Sequence, residues 1–331
     1  MAQAQPTSPA LQGRSLPIRA GTRGSPLALV QTRMVMARLA ALWPAPGPGE
    51  AAILEERIIR TTGDAVQDRP LAEIGGKGLF SKEIHEQLLD GRIDLAVHSL
   101  KDLETELPAG VVLACTLPRE DARDAMILGP HLASGEPTEA FALLPANGVI
   151  GTTSLRRQAQ LLHARPDLQI VLMRGNVQTR IDKVMRGDCA ASLLAVAGLR
   201  RLGITTEYVP IDPEAMVPAA GQGIVGVTVR ESDHAIREML SHIEDASARA
   251  VSTAERALLA ALDGSCHTPI GGHARLLPDG RLHLTGLVAR ADGSFLLKRR
   301  VHGPATDAHA LGASLGAELR ADSPRDVFAP A

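Results

Sequence analysis

Between residues 17 and 203 the chain repeatedly sets a short β-like run before a segment of helical spacing, and nothing else in it restricts the fold as strongly. PIRAGTR is extended. SPLALVQTRMVMARLAAL follows, with Ser25 as N-cap, Pro26 at the first helical position and apolar residues at helical spacing. WPAPGPGE interrupts, AAILEERIIRT resumes as a strand, and the loop IGGKG leads into the helix LFSKEIHEQLLDG, which Gly91 ends before the buried strand IDLAVHS. A second stretch repeats the order: GVIGT, SLRRQAQLLHAR, LQIVLMRG, VQTRIDKVMRG and CAASLLAVAGLRRLG. Such alternation means sheets covered by helices. VPAAGQGIVGVTVR ends in β-branched residues that return as a strand to the first unit, which makes the first domain discontinuous. The last third changes texture: the helix SARAVSTAERALLAAL, an antiparallel meander with PDG and ADG turns, and a final helix near DAHALGASLGAELRA form a small α+β domain.

Composition narrows the function. A chain of 331 residues exceeds one hydrophobic core. Its 35 basic and 37 acidic residues give a formal charge of −2, and aromatics are 2%, so neither overall charge nor a base-stacking surface argues for nucleic acid. No apolar run reaches the roughly 20 residues of a membrane span, and the N-terminal MAQAQPTSPALQGRSLP lacks the basic start and apolar stretch of a secretory signal. Three cysteines, Cys115, Cys189 and Cys266, make no disulfide framework; all this fits a cytoplasmic protein with reduced thiols.

Several motifs compete for the chemistry. GQGIVG at 221–226 matches a dinucleotide pattern, but VTVR follows where that pattern needs a helix. GGKG at 75–78 lacks the spaced glycine and the hydroxyl residue of a phosphate loop, although Lys77 can still meet an anion. Cys266, His267 and His273 are metal-ligand types, yet adjacent Cys266 and His267 rarely converge on one ion and no CxxC partner exists, so no metal is expected. In LDGSCHTPIGG the glycines and Pro269 put Cys266 in a turn rather than a core, which favours a reactive or covalently modified thiol over a small buried hydrophobe. HSLKD places Lys101 and Asp102 at the carboxyl end of a strand, where ligands of α/β sheets lie; the pair is either a surface ion pair or a carboxylate that handles protons or a developing cation. Basic residues recur at helix starts: Arg23 with Ser25; Thr152, Ser154, Arg156 and Arg157; Arg174, Asn176 and Arg180. Helix N-termini already favour anions and guanidinium forks grip carboxylates, so the set points to a polyanionic ligand in a cleft.

TRGSPLAL, GGKGLFSKE, DLAVHSLKDL, GTTSLRRQAQ, RGNVQTR, LAVAGLRRLG, PAAGQG and GSCHTPIGG, in that order, resemble the porphobilinogen deaminases, or hydroxymethylbilane synthases, over nearly the whole chain from Ile18 onward. The resemblance implies an α/β fold with two periplasmic-binding-protein-like (type II) domains around a cleft, plus a small C-terminal α+β domain with an antiparallel sheet. It divides the chain into a disordered tail at 1–16, domain 1 at 17–117 with 223–243, domain 2 at 120–218, and a cofactor-attachment domain at 246–325. It implies stepwise head-to-tail condensation of four porphobilinogen molecules with loss of ammonia, on a dipyrromethane primer, then hydrolytic release of linear hydroxymethylbilane. The primer is a thioether of Cys266, whose thiolate is a competent nucleophile toward the azafulvene left when ammonia departs. Asp102 matches the catalytic aspartate. By their places in the motifs, Arg23, Ser25, Lys77, Phe80, Ser99, Lys101, Thr152, Ser154, Arg156, Arg157, Arg174, Arg180 and Arg201 resemble the family's cofactor- and substrate-binding residues, with Arg200 an alternative to Arg201. The family suggests a monomer, with no nucleic-acid or membrane partner. Glu104 stands where the family usually has proline, and Thr228 where an acidic residue is common. The rival from another class is a non-catalytic anion-binding protein of the same two-domain fold, which would explain the arginines but neither Cys266 nor Asp102.

Overall fold

The computed structural model describes residues 16–43, 53–65, 78–132, 141–262 and 268–328. These divide into two compact units. The first contains the chain up to Ala65, Gly78–Pro118 and Ile224–Arg249; the second contains Arg119–Gly223 and the chain from Ala250 onward.

The first unit begins with β1 (Ile18–Arg23), α1 (Pro26–Leu42), β2 (Leu54–Ile59), a single turn α2 (Thr62–Ala65), α3 (Lys82–Leu89), β3 (Leu95–Ser99) and β4 (Val111–Thr116). The second continues with β5 (Asp124–Leu128), β6 (Val149–Gly151), α4 (Leu155–Ala164), β7 (Gln169–Val171), α5 (Val177–Met185), β8 (Ala191–Ala195), α6 (Val196–Arg201) and β9 (Val209–Pro210). The chain then returns to the first unit with β10 (Val225–Arg230) and α7 (His234–Ser241). After α8 (Ala246–Ala261) come β11 (Ile270–Leu276), β12 (Arg281–Ala289), β13 (Leu296–Pro304) and α9 (Ala308–Asp322).

The two five-stranded sheets share one plan. In the first the order is β2-β1-β3-β10-β4, and in the second β7-β6-β8-β5-β9. Each has three parallel strands and one antiparallel strand, β10 or β5, inserted before the last. That order, with the inserted strand supplied by a crossing connection, is the type II periplasmic-binding-protein arrangement. β10 is the returning strand read from VGVTVR, whereas β4 and β5 have no counterpart in the sequence reading. The C-terminal β11-β12-β13 sheet is antiparallel throughout, and its turns are the PDG and ADG segments.

Both faces of each large sheet are buried, which is why their central strands read as continuous apolar runs. On one face of the first sheet Val35 and Leu39 of α1 and Ile236, Met239 and Leu240 of α7 pack on Val97, Val225 and Val227. On the other, Ile84 and Leu88 of α3 meet Ile59, Ala96 and Val111. In the second sheet Leu161 of α4 packs with Met126, Ile150 and Leu193, while Ile181 and Val184 of α5 pack with Ile127 and Leu194. The last glycine of GQG answers a backbone need: Gly223 has φ +86°, and a Cβ there would overlap the Glu120 carbonyl.

Candidate active site

Parallel strands present their carboxyl ends to one edge, and the residues singled out by sequence follow those ends. In the first unit β1 and β3 are neighbours, paired at Ala20–Leu95 and Gly21–Ala96, so the segments after Arg23 and Ser99 leave the same edge. Ser25 caps α1, its hydroxyl accepting the Ala28 N–H at 3.4 Å. Arg23 is held on two sides. Its Nε donates to the Asp64 carboxylate at 3.1 and 3.2 Å, its Nη2 adds a further ion-pair contact, and its guanidinium lies 4.0 Å from the centre of the Phe80 ring. Thr61 Oγ donates to the same carboxylate at 2.8 Å. Burial raises the Asp64 carboxyl's pKa, but the Arg23 bonds more than offset this and hold it below the usual carboxylate range.

Ser99 Oγ donates to Oε1 of the buried Gln31 at 3.0 Å. The chain then makes one 3-10 turn, Leu100–Asp102, closed by Leu103 N–H to the Leu100 carbonyl at 3.1 Å. Leu100 and Leu103 are buried, whereas Lys101 and Asp102 between them are exposed. Asp102 makes no hydrogen bond or ion pair among the described residues. Two anchoring leucines thus display a carboxylate that the described residues leave available.

In the second unit Thr152 and Ser154 follow β6. Ser154 caps α4 by accepting the Arg157 N–H, and its own N–H donates to Thr152 Oγ at 3.1 Å. Arg156 and Arg157, read from sequence as ligand grips, are 5% and 6% exposed and converge on the fully buried Asp124. Arg156 donates to its two oxygens at 2.7 and 3.2 Å, Arg157 donates to Oδ1 at 2.7 and 3.0 Å, and Gln222 Nε2 adds another bond at 3.0 Å. Remaining donors reach the Val217 and Leu193 carbonyls. Burial alone would raise the Asp124 carboxyl's pKa; the two guanidiniums outweigh it and hold it far below the ordinary range.

Arg174 follows β7, and Asn176 caps α5 through the Thr179 N–H at 2.9 Å. Arg180 Nε donates to the Gly175 carbonyl at 2.9 Å. At the end of α6 the adjacent arginines separate: exposed Arg200 pairs with Glu120 at 2.9 Å and Asp121 at 3.4 Å, while Arg201 Nη2 donates to the Gly223 carbonyl and its buried Nε has no partner among the described residues. An unpartnered buried donor distinguishes Arg201 from its neighbour.

Lys77 and Cys266 lie outside the described residues, as does His267. The two described thiols, Cys115 and Cys189, are buried, and burial, with Glu244 nearby, pushes Cys115 up to about 12. His273 is pushed down to about 3 by burial and by the Arg119 and Arg275 charges. Among the described residues no group of three or more His, Cys, Asp or Glu could hold a metal, and no helix is long and apolar enough to cross a membrane.

Sequence reasoning missed Gln31, Asp64 and Asp124, the partners that fix Ser99, Arg23 and the arginine pair. Asp124 left one trace, an acidic residue opening the apolar run DAMIL, since a buried charge needs a partner.

Comparison with known proteins covers nearly the entire chain. Residues 18–238 match the family model "Porphobilinogen deaminase, dipyromethane cofactor binding domain", and residues 250–321 match "Porphobilinogen deaminase, C-terminal domain". The porphobilinogen deaminase of Paracoccus denitrificans is 47% identical over 313 residues, 94% of this chain and 96% of that one. That of Nitrobacter hamburgensis is 48% identical over 302 residues, 91% and 92%. The chloroplastic enzyme of Oryza sativa is 46% identical over 288 residues, 87% and 78%.

Proposed function

The chain belongs to the porphobilinogen deaminase family, and from that premise we propose how its own residues carry out the family's reaction. The enzyme is a transferase of haem and tetrapyrrole biosynthesis: it condenses four porphobilinogen molecules head to tail, releases ammonia at each step and frees hydroxymethylbilane by hydrolysis. Its cofactor is a dipyrromethane. When bound, that group supplies the pyrrole carbon to which the first substrate is joined. Nothing in the comparisons favours a non-catalytic binding protein.

The observation that carries the assignment of roles is Asp102, an exposed carboxylate on a fixed turn with no protein partner among the described residues. A carboxylate so placed accepts a pyrrole N–H from the substrate, stabilises the positive charge that develops on the ring as ammonia leaves, and takes up the proton lost when the new bond forms. The residues present also suit an acidic tetrapyrrole chain. Arg23, Ser25, Phe80, Ser99 and Lys101 from the first unit are assigned to holding cofactor and substrate, with Lys77, which lies outside the described residues, assigned beside them by its motif. Thr152, Ser154, Arg156, Arg157, Arg174, Arg180 and Arg201 from the second share the task. Acetate and propionate groups are the anions that guanidinium forks and helix N-termini recognise, and the buried Nε of Arg201, without a partner among the described residues, supports such a role. Arg156 and Arg157 act differently from the others, since Asp124 already takes most of their donors. Cys266 is assigned as the thioether anchor.

We further infer a cytoplasmic monomer, as the family resemblance suggests, with no nucleic-acid or membrane partner; the formal charge of −2 and the 2% aromatic content support the lack of a nucleic-acid partner. Within the second unit, the separate antiparallel sheet supports a division into domains at 120–218 and 246–325, with 17–117 and 223–243 forming the first.

Intact-mass measurement on denatured protein tests the anchor: wild type should carry two pyrrole units, and Cys266→Ser should lack them. Asp102→Asn should cut ammonia release at least about a hundredfold while retaining the fold. An unmodified wild-type mass, or full turnover in Asp102→Asn, would remove the respective residue from the scheme.

A further inference from the structure

The loop after Asp102 contains a second carboxylate, Glu104. In HSLKDLETELP, Leu100 and Leu103 hold the turn from beneath, and Leu100 N–H donates to the Ile224 carbonyl at 3.0 Å. The next residue, Glu104, reaches across to the start of α3, where Ser81 Oγ donates to its Oε1 at 2.6 Å. Ser81 occupies the N-cap position of α3 but makes no side-chain cap; its hydroxyl goes to Glu104 instead. Gly78, at φ +83°, lies so close that a Cβ would overlap the same carboxylate oxygen. The backbone around this contact is closed, with Ser81 and Lys82 N–H on the Gly78 carbonyl and His85 N–H on the Ser81 carbonyl. A negative charge at this end of α3 also suits the helix dipole.

We propose that Glu104 is a positioning residue for Asp102: its carboxylate fastens the turn that displays Asp102 to the first turn of α3. The inference rests on the assignment of Asp102 as the catalytic carboxylate. One residue, the buried Leu103, separates the two carboxylates, so the link limits how far the exposed end of the turn can tilt. The Glu104 charge also acts on His85, which is 2% exposed and whose ring is 5.5 Å from that of His98; His98 Nε2 in turn meets Thr228 Oγ at 3.0 Å.

A role confined to stability would lower the melting temperature and the amount of active protein, but not turnover per active molecule. The test therefore compares Glu104→Ala, Ser81→Ala, the double variant, Glu104→Gln and Asp102→Asn by steady-state ammonia release, normalised to protein carrying the primer mass. Glu104→Ala and Ser81→Ala should each lower kcat about tenfold, the size of one charge-assisted hydrogen bond, with KM within about twofold of wild type. The double variant should be no worse than Glu104→Ala, because both remove one link. Glu104→Gln, which keeps an acceptor for the Ser81 hydroxyl, should recover most of the rate. An unchanged kcat in Glu104→Ala, a double variant whose loss is the product of the singles, or a change confined to KM would each overturn the proposal. Ser81→Ala, the loss of one oxygen, decides the matter if Glu104→Ala fails to fold. Full activity in Asp102→Asn would instead overturn the assignment on which the proposal rests.

Discussion

Asp124→Asn asks whether the Arg156–Arg157 pair is built first as structure. The carboxylate is fully buried and accepts five hydrogen bonds, four of them from the two arginines and one from Gln222. Asparagine fits the space but presents one acceptor oxygen and turns an N–H₂ group toward guanidinium donors, leaving two buried cations without a counter-charge. Breaking a buried pair from one side costs about 3 kcal/mol or more. At roughly 2–4 °C per kcal/mol for a body of this size, the expected fall in Tm is about 6–12 °C. The pH dependence follows from the direction of the shift. Asp124's pKa is lower in the folded protein than its ordinary 3.8, so its contribution is fully present above 3.8 and is lost as the pH falls from there toward the folded value. The gap in Tm between wild type and Asp124→Asn should thus be constant near neutrality and close only in strong acid, where wild type is protonated too. Thermal melts across pH, followed by circular dichroism, measure both. A gap under about 2 °C at neutral pH, or one that widens in acid, would show that the pair does not depend on Asp124.

Two more perturbations probe other side chains. Asp64→Asn should raise KM for porphobilinogen about three- to tenfold with a smaller effect on kcat, because Arg23 keeps Phe80 but loses its bidentate carboxylate; a lower KM would mean that Asp64 competes with the substrate. In native protein at pH 8, iodoacetamide should leave Cys115 and Cys189 unmodified, since both are buried and Cys115 is pushed up to about 12; peptide mapping that finds either one alkylated as fast as a free thiol would contradict the packing.

Local signals made much of the fold legible. The N-caps at Ser25, Ser154 and Asn176 each bond the backbone N–H three residues on, so the residues at the helix starts could be placed from sequence. The return of VGVTVR to the first sheet was readable from its β-branched run. β4 and β5 were not, because VVLACT and DAMIL are short apolar runs whose strand character comes only from their neighbours in a sheet. The site divides in the same way. Motif order singled out Asp102 and the arginines as candidates, but no local pattern states where a guanidinium points. Asp64 lies 41 residues from Arg23, and Asp124 lies 32 from Arg156, separations at which only the folded chain brings the charges together.

Those long-range carboxylates also explain how a chain with so many arginines at helix starts can fold without an acidic ligand. Unpaired guanidiniums near one another repel, and burying them without counter-charge is costly. The chain answers with graded pairing. Arg156 and Arg157 are committed to Asp124 at full burial, Arg23 shares a partly exposed Asp64 with Phe80 beneath it, and Arg201 keeps a buried Nε unused among the described residues. A ligand carboxylate gains least from the first group, where it would displace a buried ion pair, and most from donors that the protein has not used. The response of substrate binding to arginine replacement should therefore follow the pairing and not the order of the motifs.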